Sequence, residues 1–211
     1  PPWSATGKDN GKPLRAVDLC CGGGGMSQGL ERAGYDIVAG VDFNQDALET
    51  WHRNHPDSLP LMGDLYQPET LLPALRRLGD LDLVNVSAPC QPYSYAGRRD
   101  PKDKRIQITF NGLRLACQLR PRVILFENVP PIAQHRGGKT LDDCVKILTD
   151  AEYQVTYHKC VTSQSFVPQR RDRLILIAFR DGPPPDLDAA VAERNAMPVV
   201  TLRETFPSGH C

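Results

Sequence analysis

The sequence has no excess of either charge. Lys+Arg and Asp+Glu are both 25 in 211 residues, for a formal net charge of zero. A compact nucleic-acid binder often carries a positive balance, so any grip on a polyanion here is local or lies on other sequence. No CxxC pair occurs among the seven cysteines, at 20, 21, 90, 117, 144, 160 and 211. That odd, scattered set argues against a disulfide framework and against a zinc knuckle, so no metal is expected and a reducing, cytoplasmic compartment is favoured. No apolar run is long enough to span a membrane, and no charged-then-apolar signal opens the chain. Internal repeats and low-complexity tracts are also missing. The first residue is Pro1 rather than Met, which suggests trimming or origin in a longer chain.

What is present fits a globular protein, with 40% hydrophobic and 24% charged residues. Residues 1–13 read as a loose polar arm. From Leu14, short apolar runs recur: Ala16–Cys20, Ile37–Val41, Leu81–Val86, Val123–Phe126 and Leu174–Phe179, with Gln154–Val161 as an additional alternating strand. Between them, Met26, Leu30 and Ala33 form a helical stripe. So do Leu71, Leu75 and Leu78, and Leu141, Val145 and Leu148. Strands alternating with helices predict an α/β domain, a mostly parallel sheet covered on both faces, over 14–180. The continuous apolar strands agree, because both faces of such a strand are buried. Gly182-Pro183-Pro184-Pro185 takes the chain out of the sheet. Residues 181–198 read as a linker, and Val199–Phe206 as a short element with nothing after it to pack on.

The first strand runs into Asp18-Leu19-Cys20-Cys21-Gly22-Gly23-Gly24-Gly25 and then a helix near Met26. Glycines let a ligand approach the backbone closely, and the helix start offers free N–H groups and positive dipole. Such a turn suits a phosphate or the carboxylate of an amino-acid-like ligand. Asp42 ends the next strand, where an acid can accept both hydrogen bonds of a ribose diol. Alone, this reads equally as a dinucleotide site. Two acids favour a cationic, sulfonium-bearing ligand: Asp18 would repel a pyrophosphate but could hold an amine, and Asp64 follows a third sheet position. Phe43 could cover an adenine face. A cysteine between two prolines, in Pro89-Cys90-Gln91-Pro92, follows the strand ending at Val86, where parallel sheets place their ligand sites. The prolines stiffen the turn and aim the thiol.

These segments resemble the cytosine-C5 DNA methyltransferase family. Asp18–Gly25 looks like its first motif, Pro89–Ser94 its PCQ motif, and Glu127-Asn128-Val129 its ENV motif. Gln169-Arg170-Arg171-Asp172-Arg173 looks like its Q-x-R-x-R motif. All four occur in the family's order, over roughly residues 14–180. The resemblance implies a Rossmann-like S-adenosylmethionine-dependent domain that methylates C5 of a cytosine flipped out of duplex DNA, through a covalent adduct on Cys90. It makes Glu127 the acid at N3, and Arg171 and Arg173 the residues that contact the base, orient Glu127 and help ionise the thiol. It assigns the cofactor to Asp18, Leu19, Cys20, Gly22, Gly24, Gly25, Asp42, Phe43, Asp64, Leu65 and Pro89. Nucleic-acid contacts fall to Gln91, Ser94, Arg98, Arg99 and Gln169, with the basic stretch Ala96–Arg105 as a loop that closes over DNA.

The sequence departs from the family in three places. Cys20 stands where an aromatic is usual, and Asp42 where Glu is usual. The target-recognition region and the last two motifs are missing after Thr201–Thr205, which implies a fragment or one half of a split enzyme, weak or inactive alone. A companion chain or further C-terminal sequence would supply recognition, and a bacterial host would imply association with the nucleoid. Three other readings compete. A tRNA cytosine methyltransferase typically has Thr where Ser94 stands. A catalytically dead binding subunit would have no need of Cys90, Glu127 and Arg173 together. A dinucleotide oxidoreductase would use the glycine turn alone.

Overall fold

Five apolar runs of the sequence become strands that carry the site. The computed structural model describes residues 8–9, 12–94, 100–162 and 168–198. The strands are β1 (Lys8–Asp9), β2 (Lys12–Leu19), β3 (Tyr35–Asp42), β4 (Leu59–Met62), β5 (Leu83–Val86), β6 (Val123–Asn128), β7 (Gln154–Thr162) and β8 (Asp172–Phe179). The α-helices are α1 (Gly25–Arg32), α2 (Gln45–Asn54), α3 (Leu72–Arg76), α4 (Ile106–Leu119), α5 (Lys139–Asp150) and α6 (Leu187–Asn195). The sheet runs β4-β3-β2-β5-β6-β8-β7, with β1 paired to β2. β2 to β6 are mutually parallel, whereas β8 runs antiparallel to both β6 and β7.

Strand alternation divides the core in two. Ala16 of β2 packs with Leu30 of α1 and with Leu48 and Trp51 of α2. Val17 and Leu19 pack on the other face with Leu75 of α3, Leu113 of α4 and Leu148 of α5. This is a doubly wound α/β layer structure, as the alternation of runs and stripes predicted. Gly40 lets α2 lie close to β3: a Cβ there would sit 2.4 Å from the Trp51 indole.

Two boundaries differ from the sequence reading. The arm at 1–13 already contains sheet, because Lys8–Asp9 pairs antiparallel with Lys12–Pro13. The stretch taken as a linker holds α6, whose N-cap Asp186 accepts from the Ala189 amide at 2.9 Å. Its Val191 is buried, and its Asp188 pairs with His158 of β7 at 2.6 Å. An N-cap acid and an alanine-rich run outweigh the prolines before them. The expected element at 199–206 lies outside the described residues. No helix among the described residues is long and apolar enough to cross a membrane.

Candidate active site

The parallel strands β2 to β6 all end on one side of the sheet. The order reverses between β2, which continues through β3 to β4, and β5, which continues to β6. A crevice opens at such a switch point. Because β8 is antiparallel, its start enters the same side: Leu174 lies opposite Asn128, and Ile175 opposite Glu127. Topology therefore brings five segments distant in sequence to one place.

They enclose a cavity of about 340 Å³. Cys20, Asp42, Phe43, Asp64 and Leu65 line one end. Pro89, Cys90, Gln91, Glu127, Arg171 and Arg173 line the other. An adjoining cavity of about 600 Å³ shares Cys20, Glu127, Arg171 and Arg173 and reaches Gly25 and Met26 at the start of α1. The sequence offered no site signal for Ile108 of α4 or for the walls Val41, Gly63, Ser87 and Ala88, and showed Val129 only as the end of a motif; these complete the first cavity.

The first end is acidic and aromatic. Asp42 is held by two backbone amides, Gly22 N and Asn44 N, each at 2.9 Å and each on a different carboxylate oxygen. Each oxygen keeps acceptor capacity beyond those bonds. Phe43 presents its ring, 68% exposed, at the cavity wall. Cys20 adopts φ 60°, the left-handed region, to start the glycine turn. Burial, with the charges of Asp42, Asp18 and Asp64, pushes its thiol up to about 12. Burial and the same two nearer acids, Asp18 and Asp42, push the Cys21 thiol up as well. Gly24 takes φ 101°, and a Cβ there would lie 2.6 Å from His55 Nε2, so the turn closes over the Asn54–His55 corner.

The second end is built around an ion pair. Arg173 Nε lies 2.6 Å from Glu127 Oε1, and Arg173 Nη1 donates to the Asp172 carbonyl at 2.7 Å. The glutamate and guanidinium are 17% and 20% exposed, so they are oriented yet reachable. The loop bearing Cys90 is pinned from three directions. Asn128 Nδ2 donates to the Ala88 carbonyl at 3.0 Å, while Asn128 Oδ1 accepts from Val129 N at 2.9 Å. The Cys90 carbonyl accepts from Tyr93 N and Ser94 N, both at 2.9 Å. Tyr93 is fully buried, and its hydroxyl pairs with Thr109 Oγ1 of α4 at 2.9 Å. Asn128 is thus a positioning residue. The sequence had shown it only as the middle of a motif.

Some expected site residues lie elsewhere. Asp18 and Leu19 are fully buried and are not on the wall of either cavity. Contrary to expectation, the Asp18 carboxylate is enclosed away from both cavities, where it accepts from Ser27 Oγ at 2.6 Å on one oxygen and from Asn85 Nδ2 at 2.7 Å on the other. Burial raises its pKa to about 6 against those two bonds. Gly22 meets the site through Asp42. Gly24 is buried at the base of a separate cleft with Gln28 and Arg32, and Gly25 borders both that cleft and the larger cavity. Gln169 is exposed, and Ser94 braces the Cys90 turn. Arg98 and Arg99 lie outside the described residues, with Ala96 and Gly97, whereas 100–105 of the expected closing loop are described.

Comparison with known proteins bears on this geometry. Residues 14–205 match the profile of the C-5 cytosine-specific DNA methylases. The chain is 33% identical over 198 residues to the type II methyltransferase M.PspPI of Psychrobacter sp., across 92% of this chain and 46% of that one. It is 31% identical over 181 residues to M.Eco47II of Escherichia coli, across 85% and 42%. The chain spans about half the length of the curated relatives it matches. Among solved structures, it superposes with TM-score 0.73 on a protein described as a DNA modification methyltransferase encoded within an E. coli prophage. The identity is 24%, across 92% of this chain and 54% of that one. S. pombe Dnmt2 methyltransferase gives 0.63 at 23% identity, across 85% and 54%. At these identities the structures speak for the fold.

Proposed function

We propose, for a chain that belongs to the C-5 cytosine-specific DNA methylase family, that its cavity performs the methyl-transfer chemistry of a DNA cytosine-C5 methyltransferase. The observation that carries the proposal is one cavity wall bearing Cys90, Glu127 and Arg173 together, opposite an acidic and aromatic end.

The acidic end fits S-adenosylmethionine. Asp42 keeps lone pairs for ribose hydroxyls, Phe43 offers a ring face for adenine, and Asp64 adds negative charge near a cationic ligand. When bound, this cofactor supplies an electrophilic methyl group. The chain's own residues act on the cytosine. The Cys90 thiolate adds to C6, forming a C–S bond while the C5–C6 π pair makes C5 nucleophilic. Glu127, oriented by Arg173, shares a proton with N3, which takes up the displaced electron density. Arg171 and Arg173 line the same wall and offer donors to the bound base. After transfer, a solvent water takes the C5 proton, the C–H electron pair reforms the C5–C6 double bond, the C6–S bond breaks to return the thiolate, and the N3 proton goes back to Glu127. The base must leave the duplex to enter, and Gln91, at the cavity wall, and the exposed Gln169 would meet it or its backbone.

Methyl transfer from radiolabelled S-adenosylmethionine to duplex DNA and to tRNA tests the reading, with the chain alone and with the remaining half of a relative-length polypeptide supplied. Label in duplex cytosine supports it. Label only in tRNA, or binding of NAD in place of S-adenosylmethionine, overturns it.

A further inference from the structure

Between the two halves of the site lies a buried polar chain that the chemistry above does not use. It begins at Trp51 of α2, whose Nε1 donates to Ser27 Oγ of α1 at 2.8 Å. Ser27 Oγ donates to Asp18 Oδ2 at 2.6 Å, and Asp18 Oδ1 accepts from Asn85 Nδ2 of β5 at 2.7 Å. The same amide nitrogen donates to Ser87 Oγ at 3.0 Å, and Ser87 N donates to the Leu19 carbonyl at 3.1 Å. Trp51, Ser27, Asp18 and Asn85 are fully buried, whereas Ser87 lines both cavities three residues before Cys90. The chain therefore connects the start of the cofactor-side helix to the loop that carries the nucleophile.

Its composition is hard to explain as packing. A buried carboxylate is costly, and an apolar residue of like size would serve a core without that cost. Asn85 adds a second expense, because its Oδ1 is buried with no hydrogen-bond partner. What the amide keeps is its two donated bonds, one to each half of the site.

We propose that Asp18 and Asn85 are positioning residues that lock the glycine turn and the Cys90 loop into one rigid body, so that the cofactor side and the nucleophile are set in register together. The functional meaning rests on the reading that both halves serve one reaction, but the mechanical linkage does not. In Asp18→Asn the new amide has one acceptor oxygen for two donors, so whichever of Ser27 Oγ and Asn85 Nδ2 its NH₂ group faces loses its acceptor. In Asn85→Asp two carboxylates face each other. The double exchange, Asp18→Asn with Asn85→Asp, restores the bond between residues 18 and 85 at unchanged charge and nearly unchanged volume: the residue 18 oxygen still accepts from Ser27, its NH₂ group donates to residue 85, and Ser87 can donate to residue 85 in turn.

The test is hydrogen exchange on the full chain without cofactor, read at 22–28 and at 87–94, followed by the dissociation constant for S-adenosylmethionine. Each single substitution is expected to speed exchange in both segments. It should also weaken cofactor binding about tenfold, the scale of one lost buried hydrogen bond. The double exchange is expected to return both measurements toward wild type. Faster exchange confined to the substituted segment, or failure of the double exchange to rescue, overturns the proposal. Should Asn85→Asp not fold, Ser27→Ala makes the same comparison. A rise at 87–94 supports the linkage, and a rise confined to 22–28 refutes it. Rescue of exchange in a chain that binds no S-adenosylmethionine keeps the linkage and removes the cofactor reading.

Discussion

Cys20 and Cys90 follow the ends of two neighbouring parallel strands and line the same cavity, yet they sit in opposite surroundings. Cys20 is crowded by Asp42, Asp18 and Asp64, and its thiol is pushed up to about 12. Cys90 lies on the wall that carries Arg171 and Arg173, in a turn fixed by Pro89 and Pro92. A strand end therefore gives a cysteine its place. The neighbours differ: acids crowd Cys20, whereas Arg171 and the Arg173–Glu127 pair share the wall with Cys90.

The comparison breaks most sharply under substitution. Cys90→Ala is expected to abolish methyl transfer in the reconstituted enzyme by on the order of 10⁴-fold or more, the scale of losing a nucleophile. Cys20→Ala should leave the maximal rate within about threefold, since its thiol takes no part in the chemistry. Initial rates of label transfer check both. Equal losses at the two positions would dissolve the distinction.

The ion pair beside Cys90 comes next. Glu127→Gln and Arg173→Lys should each lower the maximal rate about 10²- to 10⁴-fold, the range for acid–base assistance, with a smaller effect on cofactor affinity. Steady-state kinetics with varied S-adenosylmethionine separates the two effects.

The acids around Cys20 sharpen the comparison through pH. The folded pKa of Asp18, about 6, lies above its ordinary value of 3.8. The folded chain thus binds more protons than the unfolded chain between those values. Asp18's contribution to stability is therefore fully present below about 4 and is lost as pH rises through about 6. The change is at most about 3 kcal/mol. Urea unfolding from pH 4 to 7.5 should show this slope in wild type and a flatter one in Asp18→Asn.

The smallest effect belongs to the ring at the cavity mouth. Phe43→Ala should weaken S-adenosylmethionine binding by about 1 kcal/mol, the scale of a partly exposed aromatic contact. Calorimetry on the full chain checks it.

Much of the fold was legible because buried parallel strands write themselves as short apolar runs. β4 was only inferred as a sheet position, since Leu59-Pro60-Leu61-Met62 is a four-residue edge strand holding a proline. α2 and α4 were not marked as helices in the sequence. α4 has eight buried residues, so its apolar positions form no narrow stripe. Cys90, Glu127, Arg171, Arg173 and Asp42 were legible as candidates because they fall in segments that resemble the family's motifs, and the fold brings them to one cavity. Asp18 was misread for a physical reason. An acid before a glycine turn is adjacent to the ligand in sequence, but strand alternation sends its side chain away from the cavity and toward α1. Asn128 and Ser87 were invisible as supports because they act through a carbonyl and an amide 40 and 2 residues distant.

The central claim is a covalent bond from Cys90 to the pyrimidine. Duplex DNA carrying 5-fluorocytosine traps that bond, because fluorine at C5 cannot leave as a proton does. With S-adenosylmethionine and the C-terminal half of a family relative supplied, a denaturant-stable adduct should form, and peptide mass spectrometry should place the methylated fluoropyrimidine on Cys90. No adduct, or an adduct on Cys20 or any other residue, would contradict the account.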